Sequence, residues 1–352
     1  SGGTDKLSYY FSAAYLADDG IIENSGFERI SSRINVDYQA KKWLKFGVNL
    51  SYANVKSRYP GDQDTDAATS SGNAFFVGNF IAPIYPMYVR NAEGQIMHDA
   101  NTGYRIYDYG DGESTNFTRN FMSMSNPMSS FLYDTEEYLM DILNGKWYAK
   151  VDILDGLSLT ASLGLHVDNT RLHIVGNKYY GQSASQNGSV QQYSSRTYSL
   201  DQQYLLTYKK AFDVHHIDIL AGYESMDYNT ESHYILGYNM YSDKNWTASN
   251  VIDRKNGSGG YDEYATIGII TRASYDFDEK YYASVSYRRD ASSRFHPDNR
   301  WGNFWSVSAA WDMAKENFIS HIDWINMLKL KASFGQQGND NLLYKGYPNY
   351  YP

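Results

Sequence analysis

The chain has 352 residues, no cysteine and a net charge of −9, and 35 tyrosines lift its aromatic share to 16%. The acidic balance argues against a nucleic-acid partner, and the lack of cysteine removes disulfides, thiolate metal sites and thiol nucleophiles. A mean hydropathy of −0.58 without any long apolar run excludes a membrane-spanning helix, but not a barrel in which only every second residue meets lipid.

A first strand is predicted over Lys6–Leu16, closed by a polar turn at Asp18-Asp19-Gly20. In the second, Ile30, Ile34, Val36 and Tyr38 face one way and Arg29, Ser31, Arg33, Asn35 and Asp37 the other. Beyond Ala40-Lys41-Lys42, Leu44, Phe46, Val48, Leu50 and Tyr52 alternate with Lys45, Gly47, Asn49 and Ser51. From Ser57 to about Thr135 the pattern has no period, far beyond the usual connection of ~4–6 residues, which in a compact domain marks a functional loop or a wrong assignment of elements.

Alternation resumes at Trp147, Ala149, Val151 and Ile153 and turns at Asp155-Gly156. It is cleanest where Leu157, Leu159, Ala161, Leu163, Leu165 and Val167 oppose Ser158, Thr160, Ser162, Gly164, His166 and Asp168. A loop is predicted over Leu172–Ser194, then strands through Tyr198–Tyr208 and Ile217–Tyr223, then a second long loop over Asn229–Gly260. Ala265–Phe277 leads through Asp278-Glu279 into the hairpin of Tyr281–Arg288 and Trp305–Met313, and Leu328–Phe334 forms the last strand.

Short and long connections alternate, and Tyr38, Trp43, Tyr275, Phe277, Tyr281, Trp311 and Trp324 cluster beside the short ones. Both features describe an all-β, antiparallel up-and-down transmembrane β-barrel with long extracellular loops at one rim and an aromatic girdle at the other. A soluble β-sandwich or propeller with aromatic cores is the competing architecture. The count of about eleven strands is odd, whereas bacterial single-chain barrels have even numbers, so a partial barrel is expected, about half of a larger one. Ser1-Gly2-Gly3-Thr4 has neither the basic start nor the apolar segment of a signal peptide, so residues 1–352 read as part of one barrel domain without signal peptide or plug.

Several stretches resemble the SusC/RagA family of TonB-dependent outer-membrane transporters. They are Ser1–Thr4 with Tyr9-Tyr10, Tyr15-Leu16 with Gly20–Phe27, and Arg33–Val36 with Trp43-Leu44-Lys45. The most specific are Arg288–Phe295, Asn299–Ser306, and Leu328–Ser333 with Gly338-Asn339-Asp340. The resemblance implies a barrel of about 22 strands around an N-terminal plug. It also implies a SusD-like surface lipoprotein as lid, TonB as energy source, and import of oligosaccharides or peptides across the outer membrane of a Gram-negative bacterium.

No catalytic constellation is evident, and an enzyme is not expected. His215 and His216 point to opposite faces of a strand and cannot share one metal. His166 near Asp168 lacks a nucleophile placed by motif and reads as lumen lining. Asp62, Asp64 and Asp66 have the spacing that opens a calcium loop, but Ala67 and Asn73 replace its glycine and closing glutamate, so a solvated acidic loop is the better reading. No other cofactor is indicated.

Tyr104, Tyr107, Tyr109, Tyr241 and Trp246 are the candidate ligand contacts. They stand in the long loops beside Asn and Asp, and a sugar ring stacks on an aromatic face while bonding to amides and carboxylates. Arg33, Lys150, Arg272 and Arg288 with Asp37 and Asp168 give the lumen mixed charge, which favours neutral or zwitterionic cargo. The competing functions are an outer-membrane barrel enzyme and a soluble carbohydrate-binding module.

Overall fold

A computed structural model describes residues 1–59, 78–110, 112, 118–120, 126–181, 183–322 and 324–340. Its strands are β1 (Gly2–Gly3), β2 (Leu7–Asp19), β3 (Gly26–Lys41), β4 (Leu44–Tyr59), β5 (Thr135–Leu154) and β6 (Leu157–Gly176). They continue as β7 (Ser189–Phe212), β8 (His215–Met240), β9 (Val251–Phe277), β10 (Tyr281–Ser292), β11 (Trp301–Asp312) and β12 (Lys329–Gly335). A helix, α1 (Pro127–Tyr133), leads into β5. The strands form a single 12-stranded sheet in sequence order, each antiparallel to the next. β1 and β12 do not pair, so the sheet is the open arc of a barrel. The expected count of about eleven lacked only the two-residue β1.

Connections at one rim are short: β5 to β6 turns within Asp155-Gly156, and β7 to β8 within Asp213-Val214. Among the described residues, the opposite rim carries 78–110, 126–134, 177–181, 183–188 and 241–250. Near the short-turn rim the outward side chains form a ladder: Phe212 to His215 at 5.3 Å, His215 to Phe277 at 5.2 Å, and Tyr281 to Trp311 at 6.3 Å between ring centroids. Trp43 and Trp324, 52% and 82% exposed, lie at the same rim, as an interfacial girdle requires.

The outward face in this zone is apolar and open, with Leu163 40% and Val285 50% exposed. The inward face is polar. Ser274, Ser284, Ser308 and Ser333 sit side by side across β9 to β12, with Ser284 and Ser308 hydroxyls 2.7 Å apart.

The strands are much longer than the alternation suggested. β8 has 26 residues and β9 has 27, where ~9–11 cross a bilayer. The segments expected as loops over 172–194 and 229–260 are in large part strand, because the alternation changes phase instead of ending. On β4 the outward positions pass from Leu50 and Tyr52 to Asn54, Lys56 and Arg58, while the inward ones pass from Asn49 and Ser51 to Ala53 and Val55. On β5 the outward Trp147 and Leu143 give way to Asp141, while the inward Lys146 and Asn144 give way to Ile142 and Met140. Outside lipid, the outward face meets water, and apolar residues gain by turning inward under the loops.

Candidate ligand-binding site

The first long-loop excursion folds on itself. Val89 N–H donates to Ile106 O, Met97 N–H to Val89 O and Ile106 N–H to Met97 O, each at 3.0 Å, joining three short extended segments. Tyr88, Tyr104 and Tyr107 project from these segments and meet Tyr133 of α1 and Tyr179 and Tyr180 of the 177–188 loop. Centroid separations are 5.0 Å for Tyr88–Tyr107, 4.9 Å for Tyr107–Tyr180, 5.3 Å for Tyr104–Tyr133 and 5.2 Å for Tyr104–Tyr179. Tilted and edge-on pairs at such distances each add about 0.5–1.5 kcal/mol beyond their burial. The Tyr180 hydroxyl donates to Arg105 O at 2.7 Å, and that of Tyr179 to Asp243 Oδ2 at 3.2 Å. The cluster therefore joins all three long loops.

Its floor is polar. Asn126 Nδ2 donates to the carbonyls of Met87 and Asp108 at 2.9 Å each, and Asp108 Oδ1 accepts from Gly110 N–H at 2.8 Å. Burial pushes the phenols of Tyr109 and Tyr180 up to about 12 and raises that of Tyr107 further. These hydroxyls stay protonated, as donors, throughout the physiological range.

The five aromatic candidates fall into different settings. Tyr104 and Tyr107 are both in the cluster, but Tyr107 is 2% exposed, which leaves Tyr104 as the partly open ring. Tyr109 is part-buried with its hydroxyl on Ser129. Tyr241 is 66% exposed, whereas Trp246 packs on the buried group of Val175, Val190, Met240 and Val251. Asp62, Asp64 and Asp66 lie outside the described residues, and among the described residues no group of acidic and histidine side chains has metal-binding geometry. Tyr88, Tyr133, Tyr179 and Tyr180 were missed by sequence reasoning. The adjacent pair Tyr179-Tyr180 in a Gly/Ser/Gln-rich loop was the available signal.

Below the loops, the inward wall forms a recess of ≈ 770 Å³ that includes Arg33, Lys146, His166, Asp201, Gln203 and Glu224. His166 Nδ1 lies 2.7 Å from Asn144 Oδ1, a lining contact without a nucleophile. Two side chains cross a strand to reach the next one. Tyr148 on β5 lies over Gly47 of β4 and donates to Asp37 Oδ1 of β3 at 2.5 Å. A Cβ on Gly47 would stand 1.9 Å from the Tyr148 ring. Likewise Arg288 on β10 crosses Gly268 of β9 to pair with Glu224 of β8, while its Nε bonds Asp290 at 3.1 Å. In both, glycine supplies the space for the crossing.

The chain after β12 folds inward over this wall. Gln336 N–H donates to Trp305 O at 2.8 Å, Arg294 stacks 4.1 Å from the Tyr264 ring centroid, and Tyr264 bonds Asp340. Arg288–Phe295, Asn299–Gly302 and Gly338–Asp340, distant in sequence, thus border one recess of ≈ 400 Å³.

Fold and wall define the arc of an outer-membrane β-barrel, and in comparison with known proteins the chain is similar to TonB-dependent receptors. The chain is 27% identical over 352 residues to TonB-dependent receptor P3 of Formosa agariphila, covering 97% of itself and 32% of that protein. It is 28% identical over 362 residues to TonB-dependent receptor SusC of Bacteroides thetaiotaomicron, covering 97% of itself and 33% of the relative. The solved RagAB peptide transporter superposes with a TM-score of 0.74 at 24% identity, over 95% of this chain and 35% of the other. No model of a protein family matches. Among these receptors the chain is similar to SusC, and it spans about a third of the length of the curated relatives it matches.

Proposed function

We propose that this arc is part of the wall of a TonB-dependent importer that takes an oligosaccharide or a peptide through the outer membrane, and that it performs no chemistry on that cargo. The observation that carries the reading is the join of the three long loops through one tyrosine cluster above a polar wall of mixed charge. Tyr104 and Tyr241 offer ring faces to the cargo, and Arg33, Lys146, Asp201 and Glu224 suit a neutral or zwitterionic chain better than a strongly charged one. By analogy with SusC and the RagAB peptide transporter, a SusD-like lipoprotein closes over the loop rim and TonB supplies the energy. Deleting the gene should abolish growth on one defined class, glycan or peptide, and Tyr104→Ala with Tyr241→Ala should weaken uptake of the same class. Undiminished uptake in the deletion strain, or hydrolysis of cargo by the purified receptor, would overturn the reading.

A further inference from the structure

The wall has one large step. β8 and β9 stay paired up to Met240 opposite Val251, whereas β10 pairs with β9 only as far as Ser292 opposite Thr266. Above that point, among the described residues, β9 has a neighbour on one side only. Ser293 N–H donates to Ala265 O, and Ala265 N–H to Ser293 Oγ, both at 2.9 Å, so the backbone groups of Ala265 point away from β8. Backbone direction alternates along a strand, so those of Glu263, Tyr261, Gly259 and Gly257 point the same way, where no described strand pairs with them. Residues 252–263 are exposed throughout, with Ile252 at 62% and Tyr261 at 65%.

Such an edge is a template for strand addition unless it is guarded. A bulge at Arg254–Asn256 interrupts its far end, but Gly257–Glu263 pairs with β8 without a shift of register. Two of the three glycines there have no internal explanation. None has a positive φ, a Cβ on Gly257 would find nothing nearer than 3.8 Å, and one on Gly260 would meet only the rotatable Ser232 hydroxyl, whereas one on Gly259 would stand 3.3 Å from the Ser232 carbonyl. Glycine weakens a strand and marks places where another backbone approaches closely.

We propose that this edge is a docking site for one extended strand of a partner protein at the cell surface, added antiparallel to β9. Its charges are sided, with Arg254 and Lys255 at one end and Asp262 and Glu263 at the other. The matching strand carries acidic residues opposite the first pair and basic residues opposite the second. A second copy of this chain does not fit. Two copies inserted in one membrane are related by rotation about its normal, so their β9 strands both run from the loop rim toward the short-turn rim and meet in parallel, setting Lys255 beside Lys255 and Glu263 beside Glu263. The edge also stands in the wall above the bilayer, so an added strand continues the wall without entering the lumen. The inference goes beyond cargo import and is tested separately from it.

The probe is a short fluorescent peptide of alternating valine and threonine, with two lysines at its N-terminal end and two glutamates at its C-terminal end. Its anisotropy is followed on the full-length receptor in nanodiscs. Binding should fall about tenfold when the charges are exchanged end for end, from the loss and reversal of cross-strand pairs. Gly257→Pro deletes an N–H on the free side where a Cβ has room beside β8, so it should abolish binding, as should N-methylating alternate peptide amides. The double variant Gly257→Lys/Gly259→Lys, which guards the edge without proline, should do the same with uptake of cargo retained. Equal binding to wild type and both variants, no binding to wild type, or slow hydrogen exchange at the free-side amides of Gly257, Gly259, Tyr261 and Glu263 in the receptor alone would each overturn the proposal. The last would mean that the edge is already covered.

Discussion

The two ends of β6 obey opposite rules. Between Leu157 and Val167 its outward side chains are apolar and its inward ones polar, whereas beyond them Asn169, Arg171 and His173 point outward and Leu172 and Ile174 inward. Backbone geometry and antiparallel pairing run through the change without a break. The difference lies in the solvent. Lipid outside and water inside select one phase of the alternation, and water outside with packed loops inside selects the other. A strand thereby records where the membrane ends.

The strongest way to break this comparison is to place the same charge on both sides of the boundary. Leu163→Arg should destabilise the receptor in liposomes by about 2–4 kcal/mol, as for a cation at a lipid-facing site near the midplane. Urea unfolding followed by tryptophan fluorescence measures it, and equal tolerance at Leu163 and Ser162 would contradict the facing assignment. Next in size, Gly47→Ala forces a methyl into the Tyr148 ring and should cost about 1–3 kcal/mol, although alanine elsewhere in a strand is an improvement on glycine. Tyr148→Phe keeps the ring and removes the hydroxyl that bonds Asp37 and Lys45, and should cost about 0.5–1.5 kcal/mol.

The loop zone should then respond to pH where the belt does not. An unfolded tyrosine titrates near 10, and Tyr109 and Tyr180 in the cluster near 12. Their raised values stabilise the folded loops fully below pH ~10, and that contribution is lost as pH rises toward about 12. Hydrogen exchange should show residues 87–108 opening in that window while β10 and β11 stay protected. The smallest effect sharpens the first. Asn169→Arg, six positions along β6 from Leu163 on the same outward face, should change stability by no more than ~0.5 kcal/mol in the same urea titration.

How much of this was legible in the sequence follows from the same boundary. Within the lipid zone, Leu157–Val167, Tyr281–Arg288 and Trp305–Met313 alternate cleanly, and their strands, facing and short turns could all be read. Above it, the phase reverses over a few residues and the period-two signal cancels there. Residues 229–260 therefore looked like a loop although β8 and β9 hold much of them. The site was legible only as residue types. Tyr104 and Tyr107 could be singled out, but their partners Tyr133 and Tyr180 reach them only through long-range folding. Glu224 and Arg288 are joined across a strand by the absence of a side chain at Gly268, which no local pattern signals.

Those crossings over glycine bear on how the wall carries load. Ladder bonds join each strand only to its neighbours, so a radial push on the wall is resisted one seam at a time. Tyr148 to Asp37 and Arg288 to Glu224 instead tie strands two apart, so that prising open either intervening seam also strains a bond that spans both. They act as hoops on a cask, placed where a bulky passenger drawn through the bore would press outward. Two glycines, the least substantial residues in the wall, make room for the hoops.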